Sequence, residues 1–252
     1  MSMAEKLKQA CKKACSNPLT LRWSTRSHKR RHQKKVMMGI PLTCPGYHAV
    51  FRGRVVGAIE AAIAEFPDAE AEIVVSPATH MQGLAGIVEA SNFLARKCAV
   101  EGYDFLWIVE ADVEVPQDAL VRLLSGGGDI DLGIYPNHRS DLRLMAGYFQ
   151  EHPDRVKPLV HSVFGVEHVR GKVFESMVWA GIGCALIRRR VFAGLRFVYD
   201  LREYERKLGV HDQLFLFEAQ RLGFKVQLHG DVLCGHLPEW PLQKLEDINI
   251  EC

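Results

Sequence analysis

The chain has 252 residues, of which 48% are hydrophobic and 25% charged, with a net charge of +2. That balance excludes a disordered chain and suits one globular α/β domain with a tail. Charged residues interrupt every apolar run before the roughly 18–20 residues that would span a bilayer, so a membrane span is not expected. The seven cysteines, at 11, 15, 44, 98, 184, 234 and 252, are odd in number and lack paired spacing. With no apolar segment at the start, they predict reduced thiols in a cytosolic compartment.

Residues 1–35 hold eleven Lys or Arg against the single acid Glu5, a net +10 that leaves −8 for residues 36–252. The sequence therefore divides into a basic N-terminal tail or helix and an acidic body. Residues 3–15 place Met3, Leu7, Ala10, Cys11 and Ala14 at helical spacing, and the basic run over 22–35 follows Asn17-Pro18. Such a tail suits an anionic membrane surface or nucleic acid, with Trp23 as a stacking or insertion residue, and equally suits a solvated leader.

From Val36 onward apolar runs alternate with helical patterns, as in consecutive βα units of a mainly parallel sheet. A strand over 36–40 is closed by Pro41, and a helix over 49–65 ends at Phe66-Pro67. A second strand over 72–76 precedes Pro77. The helix over 84–100 puts Ile87, Ala90, Ser91, Leu94 and Cys98 on one side. The apolar strand over 104–109 needs cover on both faces and so must be central. Pro116 marks the start of a short helix over 117–124, and Gly126-Gly-Gly128 turns the chain into a strand over 130–135. Residues 137–175 show little periodicity and read as a variable insertion. Short strands over 178–180 and 185–187 flank Gly181-Ile-Gly183. A helix over 211–222 and a strand over 225–228 follow, with an irregular segment after Pro238.

The phrase Trp107-Ile-Val-Glu110-Ala-Asp112-Val-Glu114-Val-Pro116 ends the central strand with acids at the C-terminal edge, where open α/β sheets bind ligands. An extended chain would place positions 110 and 112 on one side, about 7 Å apart between Cα atoms. Both could then address one cation or one nucleotide. Carboxylates suit Mg²⁺ or Mn²⁺, which neutralise a diphosphate. The same acids could instead cap the helix that follows.

Here the chain resembles the glycosyltransferases of the A-type (GT-A) fold, especially those like family 2, whose hallmark is Asp-x-Asp after a buried strand. Glu110 stands in place of the first Asp, and Asp112 keeps the second. Other pieces similar to the family pattern follow the same order. They are Gly39-Ile-Pro41-Leu-Thr43 at the end of the first strand, Trp179-Ala-Gly181-Ile-Gly183-Cys184, His211-Asp212-Gln213-Leu214 at a helix start, and Cys234-Gly235-His236.

The resemblance covers about residues 36–238 and implies a Rossmann-like, mostly parallel central sheet flanked by helices. It implies transfer of a hexosyl unit from a nucleotide-diphosphate sugar to a hydroxyl acceptor. Pro41, Thr43, Glu110, Ala111 and Asp112 would contact the donor, and Asp112 and His236 would hold Mn²⁺ or Mg²⁺. Trp179, Gly181 and Gly183 would face the acceptor. Asp212 would be the general base if the anomeric carbon is inverted, and a substrate-positioning group if it is retained.

Read from the residues alone, Gly181 and Gly183 also suit a tight turn, Trp179 a core position, Asp212 a helix cap and His236 a surface histidine. Zinc would need two further ligands at matching spacing, and none is evident. The rival readings are a nucleotidyltransferase of related fold, which would want a Gly-rich basic loop where the chain has residues 42–48, and a nucleic-acid or membrane-surface binder led by the tail.

Overall fold

The structure is a computed structural model and describes residues 19–23, 34–41, 52–65, 69–76, 83–138, 143–150, 159–161, 165–199, 211–238 and 241–246. The expected helix over 3–15, and Thr43, lie outside them. In chain order the elements are β1 (Leu19–Trp23), β2 (Lys34–Ile40), α1 (Arg52–Ala64), β3 (Ala69–Val75), α2 (Gly83–Val100), β4 (Phe105–Val109), β5 (Val113–Glu114) and α3 (Ala119–Gly126). Then come β6 (Ile130–Ile134), β7 (Ala146–Gln150), β8 (Leu159–His161), α4 (Val166–Val169), β9 (Val173–Glu175), β10 (Val178–Ala180) and β11 (Cys184–Arg188). A 3₁₀ turn over Arg189–Ala193 is followed by α5 (His211–Arg221), β12 (Val226–Leu233), β13 (Gly235–His236) and α6 (Leu242–Glu246).

Eight strands form one sheet in the order β1-β3-β2-β4-β11-β6-β12-β9. β3, β2, β4, β6 and β12 run in one direction; β1, β11 and β9 run against them. The chain is thus α/β, with a mostly parallel central sheet flanked by helices. β4 lies in the middle because its five residues are all buried: a strand without a polar face has to be covered on both sides.

The period of two along the strands divides the core. Phe105, Trp107 and Val109 join Met38, Ile40, Val55, Ile59, Leu120 and Leu123 on the face covered by α1 and α3. Leu106 and Ile108 join Met37, Leu94, Cys98, Phe215 and Leu216 on the face covered by α2 and α5. On α2 the anticipated Ala90, Ser91, Leu94 and Cys98 are buried, while Ile87 is partly so. α3 stops at Gly127, whose φ of 77° is the left-handed turn that glycine adopts without cost.

Several elements exceed the sequence expectation. Leu19–Trp23 pairs antiparallel with β3 at the sheet edge, with Trp23 opposite Ala71. β2 begins at Lys34, and Lys35 N–H donates to Asp104 Oδ2 at 2.9 Å. The stretch over 137–175 contains β7 and β8, which with β10 form a separate three-stranded sheet. No helix among the described residues is long and apolar enough to cross a membrane.

Glu114, an acid without an obvious task in the sequence, is 8% exposed and links three elements. It accepts from Arg54 Nε on α1 at 2.5 Å and from the Leu242 N–H that opens α6 at 2.7 Å. Glu114→Ala is expected to destabilise the protein by about 1–3 kcal/mol, because a partly buried N–H loses its charged acceptor. Urea unfolding measures this, and a change under about 0.5 kcal/mol, the range of ordinary surface substitutions, would show that the tie contributes little.

Candidate active site

The strands that share a direction end along one edge, and the site is assembled from the turns that leave them. β4 ends at Val109, not at Asp112. Residues 110–112 form a turn closed by Val113 N–H donating to Glu110 O at 3.1 Å, so the two acids do not alternate along an extended chain as expected. Ala111 points into the core, 3% exposed, which leaves its backbone as the part available to a ligand. Asp112 is displaced toward the turns that follow β6 and β12.

His236 reaches Asp112 because the chain leaving β12 pairs back onto the acid-bearing segment. Gly235 lies opposite Glu114 and His236 opposite Val113, and Leu237 N–H donates to Asp112 O at 2.8 Å. His236 Nε2 stands 3.7 Å from Asp112 Oδ2. A third group, absent from the sequence expectation, completes the cluster. His138, after β6, places its Nε2 4.0 Å from the same oxygen, and its ring lies 3.6 Å from that of His236 between centroids. One ligand atom from each of Asp112, His138 and His236 falls within 4.8 Å of the others.

These residues fit a cation. His236 Nδ1 lies 2.6 Å from Pro136 O; a carbonyl only accepts, so Nδ1 must carry a hydrogen, and in the neutral ring Nε2 is the nitrogen whose lone pair faces Asp112. The separations of 3.7 and 4.0 Å are too long for hydrogen bonds. They approach the spacing of about 3 Å between ligands that each lie about 2.1 Å from one ion. Two imidazoles with one carboxylate suit Mn²⁺ better than Mg²⁺, and zinc, lacking ligands in the sequence reading, gains a third.

Acidic groups surround this cluster. Burial, then the charges of Asp112 and Asp212, hold the Glu110 carboxyl well above the ordinary carboxylate range. Asp212, 5% exposed in the first turn of α5, is also raised. Burial is the main cause, opposed by His211 and by the Gln213 N–H that donates to Asp212 Oδ1 at 2.7 Å. His211 is pushed down by burial, and neither ring nitrogen has a hydrogen-bond partner among the described residues. Tyr135, with Glu110 and Asp212 as its next largest influences after burial, stays protonated.

The remaining anticipated residues take these places. Pro41 is buried at the end of β2, beside β4 in the sheet. Gly183 precedes β11 at the same edge, and its carbonyl accepts Glu110 N–H at 2.9 Å. Gly181 N–H donates to Met145 O at 2.8 Å. Trp179 is 3% exposed and packs in the core on the α2 and α5 face, so a sugar platform there would need the ring uncovered. The sequence signal that could have found His138 is its position: four residues past the end of a strand that runs parallel to β4.

No family model matches the chain, and no curated protein does. Solved structures similar to it include A197 from STIV, at 12% identity and TM-score 0.46 over 82% of this chain and 86% of that one. The inositol-1-phosphate CTP transferase from T. maritima is similar at 11% identity and TM-score 0.40, covering 79% and 86%. GalNAc-T7 with UDP, GalNAc and Mn²⁺ is similar at 15% and TM-score 0.46; 84% of this chain matches 46% of that one.

The raised Asp212 carboxyl has a thermodynamic consequence. A carboxyl whose folded pKa exceeds its unfolded value favours folding fully below the unfolded pKa, and that contribution is lost as pH rises through the folded pKa. In metal-free protein, Asp212→Asn should therefore melt above wild type at neutral pH, by about 2–4 °C for about 1 kcal/mol in a chain of this size. The gap should close toward pH 4. A difference in melting temperature that does not vary with pH would argue against a strained buried carboxylate.

Proposed function

We propose that the protein is a metal-dependent glycosyltransferase of the GT-A type, transferring a sugar from a nucleotide-diphosphate donor to a hydroxyl acceptor. The observation that carries this reading is the convergence of Asp112, His138 and His236 at the C-terminal edge of the sheet, beside a buried acid at the start of α5. Asp112, His138 and His236 would hold the cation, Mn²⁺ in preference to Mg²⁺. When bound, that cation supplies positive charge to the leaving diphosphate.

The donor lies across the boundary between β2 and β4, where the strand order reverses and open α/β sheets bind ligands. Pro41 and Thr43 flank its base and ribose, and Glu110 with the Ala111 backbone meets its sugar. Gly181 and Gly183 contribute backbone to the acceptor side, over the core that holds Trp179. Asp212 takes the proton from the acceptor hydroxyl, a task its raised pKa favours by making it a stronger base than an exposed aspartate. Burial that excludes water also protects the donor from hydrolysis. The basic residues of 1–35 provide contact with an anionic surface, membrane or nucleic acid.

A panel of nucleotide sugars with Mn²⁺, scored for binding and slow hydrolysis, tests the activity directly. Release of nucleoside diphosphate supports it. Release of sugar 1-phosphate with nucleoside monophosphate, the products of attack on the α-phosphate, would instead indicate a nucleotidyltransferase, and binding of no donor would overturn the enzyme reading. Asp112→Ala should abolish Mn²⁺-dependent turnover without changing the melting temperature by more than a few degrees. His138→Ala should weaken Mn²⁺ binding measured by calorimetry, and equal affinity would remove His138 from the ligand set. Asp212→Asn should lower kcat by about 10²–10⁴-fold; a loss below about tenfold would exclude it as the base.

A further inference from the structure

Tyr135 follows β6 and is 4% exposed, and it touches both halves of the site without belonging to either. Its ring meets His236 edge-on, with centroids 5.0 Å apart and planes at 73°. Its hydroxyl accepts the Gly183 N–H at 3.1 Å, and the Gly183 carbonyl in turn accepts the Glu110 N–H at 2.9 Å. The Tyr135 carbonyl accepts Met145 N–H, and the Met145 carbonyl accepts Gly181 N–H, each at 2.8 Å.

Gly181 is shaped around the phenol. A Cβ there would overlap the Tyr135 hydroxyl and lie 2.6 Å from its Cζ, whereas one at Gly183 would lie 2.8 Å from Glu110 Oε2 and 2.9 Å from both the Tyr135 hydroxyl and Val113 Cγ2. Real Cβ atoms do not approach so closely, so a larger residue at 181 drives the phenol away from His236 or moves the chain, and one at 183 displaces the Glu110 carboxyl, Val113 or the phenol.

We infer that Tyr135 is a positioning residue that registers the His236 imidazole against the Glu110–Asp112 turn, and that position 181 is glycine because the phenol occupies its side-chain space. This rests on the metal-dependent reading for its effect on catalysis. The contact with the ring sets where Nε2 points, and the hydroxyl sets the height of the Gly183 carbonyl that carries Glu110. The two contacts are separable by substitution. Tyr135→Phe keeps the ring against His236 and removes the acceptor of the Gly183 N–H, whereas Tyr135→Leu removes both.

Three readouts test this on the full-length chain: Mn²⁺ affinity, the kcat and KM of donor turnover, and the His236 side-chain NMR resonances in metal-free protein. Tyr135→Phe is expected to keep Mn²⁺ affinity and the His236 resonances near wild type. Its kcat should fall by about tenfold at near-constant KM, since small misplacements cost up to about 10² in rate. Tyr135→Leu is expected to shift the His236 resonances and to weaken Mn²⁺ binding about tenfold or more, as loss of an orienting neighbour does at metal sites.

Gly181→Ala should imitate Tyr135→Leu, and the double variant should be no worse than either alone, because both act through one contact. A folded Tyr135→Leu protein with unmoved His236 resonances and unchanged Mn²⁺ affinity would overturn the inference. So would effects of Gly181→Ala and Tyr135→Leu that simply add. If Tyr135→Leu does not fold, Gly181→Ala decides by the same two measurements. If wild type binds no Mn²⁺, the proposed function fails, while the His236 resonances still test Tyr135.

Discussion

The hydrogen bond from His236 Nδ1 to the Pro136 carbonyl is the constraint on which the rest of the site depends. It joins the turn after β6 to the turn after β12, and in the neutral ring it selects the tautomer whose lone pair faces Asp112. Without it the imidazole could flip or protonate on the other nitrogen, and a ligand would become a donor opposite a carboxylate. The short β5–β13 ladder brings the two chain segments into range, and the side-chain bond then fixes the chemistry. Residues 135–138 grip His236 in three ways: an aromatic edge, a carbonyl and a tilted imidazole.

Much of the scaffold was legible in the sequence because it follows from local pattern. The all-apolar β4 could only be central, and Pro41, Pro116 and the glycines at 126–128 punctuate the chain where the structure turns. Asp112 and His236 were legible as a pair through the motif order, and the structure brings them together. His138 was not, since its partners are separated from it by 26 and 98 residues and its own neighbourhood has no period. The same applies to β5 and β13, whose two-residue pairing is written in neither segment alone. Alternation along an extended chain misplaced the acids because the strand ends one residue before Glu110. Tyr135 reads in the sequence only as the last residue of the strand over 130–135, because the ring and the glycine it meets, His236 and Gly181, lie 101 and 46 residues downstream.

The three acids that follow β4 have distinct surroundings. Asp112 joins the histidines, Glu110 sits in a neighbourhood that favours its protonated form, and Glu114 secures helices behind the site. Three carboxylates within five residues would repel one another if all were charged and close. The turn separates them, Arg54 compensates one, and a bound cation would compensate another. A nearby buried Asp212 adds to the acidity of the surroundings, so the site is electrostatically suited to positive charge.

The reversed strand β11 stands between β4 and β6, and this has a consequence for how the site can vary. Its two neighbours are held about 10 Å apart, twice the spacing between adjacent strands. The side chains of Asp112 and His138 therefore meet across a gap whose width is a property of the sheet and not of the loops. Loops around the rim can lengthen or exchange without altering the aperture, so under the proposed function acceptor recognition can diversify while the separation of Asp112 and His138 stays constant.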